Sequence, residues 1–206
     1  MQLFVLTVLV GATCVTAAPG GAESAKKPAW ANEQKFGEYQ RAWDTIKDVE
    51  VTYYMARSTY TNDDTFGKDF KCVTVRTTSV KEEGVSVKAE MTYINNSETG
   101  KLNIETQVVK KYGYQTPNAL EYGPQVIERS GAKESTGNTQ VGILVFSSPQ
   151  ACDIVSVNDN KDLELWVHSN FKDDIPKCCS FTFTYFTSLL QGKTEHVVYS
   201  QDDCTN

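Results

Sequence analysis

Alternating apolar and polar residues recur along most of this chain, and this pattern constrains its fold more than any other feature. Successive side chains of a β-strand point to opposite faces, so an alternation of period two indicates strands with one buried face. In the segment 49–60, Tyr53 and Met55 fall on one face and Tyr54 and Ala56 on the other. The same alternation recurs in the segments 70–78, 85–94, 102–111, 141–146, 152–157 and 163–168.

Short polar connections separate these predicted strands. The connections contain Gly, Asn, Asp and Ser, which form turns readily. Strands joined by tight turns without intervening helices predict a mainly β, antiparallel barrel or sandwich. A barrel of about eight strands is just wide enough to hold one small ligand. Residues 123–139 are polar and contain glycine, so we expect a long loop or an irregular edge there.

Two segments carry helical spacing. Apolar residues of the segment 28–47, among them Trp30 and Trp43, recur at three- and four-residue steps, which predicts an amphipathic helix packed on the core. The segment 178–190 is ambiguous. Its Phe and Thr content favours a strand, whereas Phe183 and Phe186 also lie at helical spacing.

The amino-terminal residues 1–17 form an apolar run that ends in small residues, which is typical of a secretory signal peptide. No later run is apolar for long enough to predict a membrane span. Residues 18–27 are expected to form a flexible leader, and residues 28–206 one domain. The sequon that begins at Asn95 is a glycosylation site expected on a surface turn.

The cysteine content agrees with an oxidising, extracellular compartment. Removal of the signal peptide leaves Cys72, Cys152, Cys178, Cys179 and Cys204. Two disulfides and one odd thiol are therefore expected. Adjacent Cys178 and Cys179 do not readily bridge each other, so one of them is the odd thiol.

Charge and motif content exclude several classes of function. The net charge is −6 and the lysines are scattered among the acids, which argues against nucleic acid or an anionic membrane as partner. No motif of a zinc site, a nucleophilic hydrolase or a nucleotide-binding loop is present. Both histidines, His168 and His196, lie in or beside predicted strands without a partner motif. We therefore expect no catalytic residue, no metal and no cofactor.

Carboxylates within aromatic, strand-forming segments are the chemical feature that remains. They are Asp48, Asp63, Glu105, Asp153 and Glu164. An acid in a strand usually faces water. Several that point inward would destabilise the fold unless a cation meets them. A barrel lined by acids and aromatic rings suits a small amine, because carboxylates accept the ammonium hydrogens and the rings pack against a flat ligand.

Several motifs, in this order and at these separations, closely resemble the salivary histamine-binding lipocalins of ticks: AWDTIKDVEVTYYMARSTYTNDDTFGKDFKC, KKYGYQTPNALEY, ACDIV, LELW and DIPKCC. The resemblance covers residues 30–204 and is densest from 43 to 122. It implies an eight-stranded antiparallel lipocalin barrel with an amino-terminal helix and a helix over 178–190. It also implies the disulfides Cys72–Cys204 and Cys152–Cys179, with Cys178 as the odd thiol.

The resemblance further implies two amine sites in one barrel. The first carries over to Tyr60, Asp63, Phe66, Glu105 and Tyr122. The second carries over to Asp48, Asp153, Glu164 and Trp166, with Tyr60 able to serve both. Phe66 replaces a tryptophan of the family, and Val141 stands where a ring-bearing residue is expected. Phe66 keeps an aromatic face but lacks the indole donor, whereas Val141 would widen or reshape the first site and admit a bulkier amine such as serotonin.

The function predicted in this way is that of a secreted, salivary, non-enzymatic scavenger of histamine and serotonin. A monomer is expected, although Cys178 could join two chains. Two alternatives stay open. A lipocalin that binds a host complement or immune protein would expose an apolar patch in the segment 123–150. A carrier of fatty acids or eicosanoids would need Arg57 or Lys110 to point into the barrel.

Overall fold

The fold was analysed on a computed structural model, which describes residues 27–123, 125–129, 132–136 and 139–204. The predicted signal peptide and the leader up to residue 26 lie outside the described residues. The helices are α1 (Glu33–Phe36), α2 (Ala42–Ile46), α3 (Lys177–Ser188) and α4 (Gln201–Cys204). The strands are β1 (Thr52–Ser58), β2 (Asn62–Asp63), β3 (Gly67–Lys68), β4 (Lys71–Glu82), β5 (Ser86–Asn95), β6 (Glu98–Val109), β7 (Ala119–Tyr122), β8 (Gln125–Arg129), β9 (Ala132–Thr136), β10 (Gln140–Ser148), β11 (Cys152–Val157), β12 (Asp162–His168) and β13 (His196–Val197).

Eight antiparallel strands of the described chain close into a barrel. Around the ring they run β5, β4, β1, β12, β11, β10, β7 and β6, and β6 pairs with β5 to close it. The eight-stranded barrel expected from the resemblance is therefore confirmed. The hairpin β8–β9 extends from β6, and the short strand β13 pairs with β1.

The two ends of the barrel differ in what covers them. At the end that we call the near end, α2 and Asp48 adjoin Thr77 of β4 and Val87 of β5. The opposite end, the far end, carries the small hairpin β2–β3, which follows β1. Alternate side chains of the strands fill the barrel between these ends, with Met55, Val73 and Leu102 fully buried.

Helix α3 packs on the outside of the barrel, over β11 and β12. Cys179 and Phe183 of this helix contact Ile154, Leu165 and Val167 from the outer face of these strands. Nearly every residue of β11 and β12 is consequently buried, whichever face its side chain is on. The helical alternative for the segment 178–190 is thus confirmed.

The amino-terminal segment is broken, in contrast to the single helix predicted over 28–47. Helix α1 is followed by a 3-10 turn at Gly37–Tyr39, and α2 begins only at Ala42. The break lies at Gln40, whose side-chain amide donates to the carbonyl oxygens of Trp30 and Val145. Tertiary hydrogen bonds at this buried glutamine therefore outweigh the helical propensity of the segment.

Two further expectations need correction. The segment 123–139, expected as a loop or irregular edge, contains the paired strands β8 and β9 in its described backbone. The segment 195–200 carries the alternation expected of a short closing strand, but only His196 and Val197 form one, β13. Alternation alone did not reveal β8 and β9, because polar residues dominate both of these strands.

Both disulfides implied by the resemblance are present. Cys72–Cys204 ties β4 to α4 across 132 residues, and Cys152–Cys179 ties β11 to α3. Cys178 is the exposed free thiol among the described cysteines. No helix in the described part of the chain is long and apolar enough to cross a membrane.

Candidate functional site

A cavity lies inside the near end of the barrel. Its volume is about 100 Å³, whereas a single buried water needs only about 10–15 Å³. Its wall is mainly aliphatic, with Val75, Leu120 and Leu144 as examples, so it offers a dry surface to a small organic ligand. Among the described residues that line it there is no Lys, Arg or His.

Two carboxyl groups lie in this cavity because of the register between β11 and β12. Asp153 pairs with Trp166, and Val155 pairs with Glu164, so these side chains share the inward face of the sheet. Asp153 and Glu164 are therefore diagonal neighbours, a relation that places such side chains within about 7–8 Å of each other. Both are 6% exposed.

Both carboxylate oxygens of Glu164 accept hydrogen bonds from neighbouring side chains in the cavity wall. The hydroxyl of Tyr60 donates to Oε1, and the indole Nε1 of Trp166 donates to Oε2 at 2.8 Å. Burial raises the pKa of the Glu164 carboxyl to about 7, although these two hydrogen bonds oppose the shift. The nearby charge of Asp63 acts in the same direction as burial.

Asp153 has fewer partners. Burial raises the pKa of its carboxyl to about 7, and a hydrogen bond with Ser147 opposes the shift. Tyr53, on the neighbouring wall, has a raised pKa because it is buried and faces the charges of Asp153 and Asp48. Asp153 therefore keeps lone pairs free for an added donor, whereas both oxygens of Glu164 already accept hydrogen bonds.

The remaining predicted residues of the second set also reach this cavity. Trp166 lines it and is nearly buried, and Asp48 lines its near-end mouth while it is exposed to solvent. Tyr122, which the resemblance assigned to the first set, lies in the same wall. Burial and the charges of Glu164 and Asp63 raise the pKa of Tyr122. The structure therefore groups Tyr122 with Asp153 and Glu164.

The other residues of the first set do not line the near-end cavity; they are Tyr60, Asp63, Phe66 and Glu105. Asp63 accepts hydrogen bonds from the backbone N–H groups of Thr65 and Phe66, at 2.7 and 3.0 Å, within its own turn. Phe66 is buried among the far-end rings of Phe70 and Tyr93. These residues lie outside the lining of the near-end cavity.

Glu105, a predicted ligand contact, does not line the near-end cavity. Strand β6 alternates so that Ile104 and Thr106 point into the cavity, which places Glu105 on the outer face. There its carboxylate pairs with Lys81, and about half of the side chain is exposed. Val141 likewise does not line the cavity, because its neighbour Gly142 takes the inward position on β10.

Gly142 and Tyr53 are cavity residues that the sequence analysis did not single out. A Cβ at Gly142 would lie 2.7 Å from Cγ1 of Val155, so any larger residue would intrude on the cavity. The alternation in the segment 49–60 already placed Tyr53 on one face, and this signal could have identified it. No comparable signal in the sequence distinguishes Gly142.

The arrangement favours a cation and disfavours an acid. Two buried carboxyls without a basic partner among the described lining residues hold their protons up to about pH 7, and a cation that enters the cavity favours their charged forms. The carboxylate of a fatty acid would need a basic side chain that points into the cavity. Arg57 does not line the cavity and forms an ion pair with Glu195, with 2.8 Å between Nη1 and Oε2. Lys110 does not line the cavity either and is exposed. No group of three or more His, Cys, Asp or Glu able to hold a metal occurs in the described part of the chain.

Comparisons with known proteins agree with this chemistry. The sequence profile of a family described as tick histamine binding protein matches residues 30–206. A male-specific histamine-binding salivary protein of Rhipicephalus appendiculatus is 36% identical over 185 residues, which span 86% of this chain and 87% of that protein. Female-specific histamine-binding protein 1 of the same species is 29% identical over 184 residues, covering 86% and 89% of the two chains.

A comparison of folds found the crystal structure of AM182 in complex with serotonin. It is similar with a TM-score of 0.49 and 22% sequence identity, and the match covers 78% of this chain and 90% of AM182.

Proposed function

Because this chain belongs to the tick histamine-binding protein family, we propose that it binds histamine in the near-end cavity and sequesters it without chemical change. The observation that carries the proposal is the pair of buried carboxyls, Asp153 and Glu164, in a cavity whose described lining holds no base. We also propose that residues 1–17 direct secretion, since the two relatives named above are histamine-binding proteins and one is salivary.

The proposed binding mode uses each end of the ligand. The ammonium group pairs with the Asp153 carboxylate, which has accepting capacity to spare. The imidazole packs against the rings of Trp166, Tyr53 and Tyr122. Its N–H group donates a hydrogen bond to the carboxylate of Glu164. The best small ligands gain about −1.5 kcal/mol of binding free energy per non-hydrogen atom. For a ligand of histamine's size, with about eight such atoms, the limit is about −12 kcal/mol, which corresponds to a Kd of about 1 nM.

Serotonin is the second amine that we propose to test. The aliphatic part of the cavity wall and the position of Gly142, which has no side chain, support a ligand with a larger ring. The complement-binding alternative depends on the segment 123–150, where the side chains of residues 124–138 lie outside the described residues. No described contact supports it over amine binding.

The test is isothermal titration of amine-free protein with histamine at about pH 8. Glu164→Gln keeps the shape of the side chain and removes its charge. It is expected to weaken binding about 100-fold, or about 2.7 kcal/mol, because the imidazole loses a hydrogen bond to a buried charged group. Glu105→Gln is the matched control, because it makes the same chemical change on the outer face of β6. Wild-type protein that binds no histamine, or equal losses in both variants, would contradict the proposal.

A further inference from the structure

Aromatic rings of the chain itself pack together at the far end of the barrel, beside a cavity of about 340 Å³ that Tyr93, Asn95 and Gly100 help to line. The ring of Phe66 lies 5.1 Å from that of Phe70 and 5.2 Å from that of Tyr93, and Tyr60 lies 5.5 Å from Phe70. Phe66, Phe70 and Tyr93 are at most 7% exposed. These separations are those of rings in mutual contact, so little space is left between them for a ligand ring.

Of the two acids that the resemblance assigns to the first amine site, one is held within a turn and the other lies outside the barrel. The Asp63 carboxylate accepts from the N–H groups of Thr65 and Phe66, which fixes it within the turn of the hairpin β2–β3. Glu105 is outside the barrel. Tyr60 closes the boundary between the two ends, because its ring packs on Phe70 while its hydroxyl donates to Glu164.

Asn95 clamps this arrangement from β5. Its Nδ2 donates to the carbonyl oxygens of Phe66, at 2.5 Å, and of Lys68, at 3.1 Å. Gly67 lies between these two carbonyls with a positive φ of 81°, and a Cβ there would lie 2.3 Å from Asn95 Nδ2. The amide of Asn95 thus holds the hairpin against the barrel end and keeps Phe66 inserted.

Gly100 provides the room that the far-end rings require. A Cβ on Gly100 of β6 would lie 2.2 Å from Cζ of Tyr93, its partner on β5. Any larger residue at this position would force the Tyr93 ring out of its place. The packing at this end therefore depends on the absence of side chains at Gly67 and Gly100 and on the amide of Asn95.

We propose that each chain binds a single amine, in the near-end cavity, and that Phe66, Phe70 and Tyr93 form a plug, clamped by Asn95, that closes the far end. This inference rests on the proposed amine binding. It replaces the two-site expectation with one ligand per barrel, and it assigns Asn95 and Gly100 a role in setting that number.

Stoichiometry tests the proposal directly. Titration of amine-free wild-type protein with histamine, and separately with serotonin, is expected to give one ligand per chain in a single phase. The double variant Asp153→Asn/Glu164→Gln is expected to lose binding by at least about 100-fold with no residual site. Two ligands per chain, or a residual site in the double variant, would overturn the plug and leave the proposed function intact. Absence of any amine binding to the wild type would overturn both.

A second experiment tests the clamp without any ligand. Asn95→Asp replaces the donating amide with an acceptor, and it is expected to speed hydrogen exchange of the backbone amides of Thr65 and Phe66 at least about tenfold. Asn96→Asp, at the exposed neighbour, is the matched control and is expected to leave these rates unchanged. Equal exchange in the two variants would overturn the clamp. A glycan on Asn95 of the folded protein, detected by mass spectrometry, would do the same, because the sugar replaces one of the donated hydrogens.

Discussion

Asp153→Asn should stabilise the empty protein at alkaline pH. The pKa of the Asp153 carboxyl rises from 3.8 to about 7 in the folded chain, so the folded state holds a proton that the unfolded state has already lost. Stability from this group is therefore fully present below pH 4 and is lost as the pH rises through 7. Between about pH 5 and about pH 8 the loss integrates to roughly 2.5 kcal/mol. Glu164, whose pKa is raised in the same direction, adds a loss of similar size.

The assay is urea denaturation of amine-free protein at about pH 5 and about pH 8. Both pH values lie above the range in which Asp173 and Asp203, whose pKa values are lowered, are protonated. The stability of the variant relative to the wild type should rise by roughly 2.5 kcal/mol between the lower and the higher pH. Asp159→Asn, in an exposed turn, is the control and should leave the pH dependence unchanged. A variant less stable than the wild type at about pH 8 would refute a desolvated Asp153.

Three further predictions concern affinity and stability. Histamine affinity, measured by titration calorimetry, should rise about tenfold per carboxyl between about pH 6 and about pH 8, because Asp153 must ionise to pair with the ammonium and Glu164 to accept from the imidazole. A flat profile would contradict this. Gly142→Leu should weaken histamine binding at least about tenfold, since the side chain enters the cavity against Val155, whereas Ile143→Leu on the outer face should not. Phe66→Ala should lower the free energy of unfolding by about 3–5 kcal/mol, because it removes a buried ring. Phe181→Ala is the control, since that ring is 71% exposed, and it should change the free energy by under about 0.5 kcal/mol. Equal effects of the two substitutions would argue against a packed plug.

The barrel was predictable because the alternation is strong where one face is buried. The segments around Met55, Leu102 and Leu144 carry it, and each forms a barrel strand. The boundaries were less predictable: the amino-terminal helix breaks at Gln40 because of hydrogen bonds to residues far along the chain. The segment with β8 and β9 shows little apolar alternation, so its strands were missed.

The acids were recognised in the sequence, but their directions were not all correct. Asp153 and Glu164 lie in strands buried on both faces, and their inward position follows from the register of β11 with β12. Glu105 lies in a strand with one exposed face, where the alternation of Ile104 and Thr106 already pointed it outward. The resemblance assigned Glu105 to the first amine site, whereas the structure places it on the outer face of β6, paired with Lys81.

The partition of the site depended on contacts that no sequence pattern carries. Phe66 follows an acidic turn in the sequence, which suggested a ligand contact. Only the packing of its ring on Phe70 and Tyr93, and the hold of Asn95 on the hairpin, shows why it fills the far end. Residues up to 29 positions apart, such as Phe66 and Asn95, determine this arrangement together.

The measurement that tests the central claim most directly is ¹³C NMR of the side-chain carboxyl carbons, with Asp153 and Glu164 assigned through Asp153→Asn and Glu164→Gln. In the empty protein both carboxyls are expected to titrate near pH 7. Saturation with histamine at pH 7 should shift both resonances to the ionised position, because the ammonium cation stabilises the charged forms. Resonances that stay unchanged when histamine binds would show that the amine is held elsewhere, and would contradict the role assigned to this cavity.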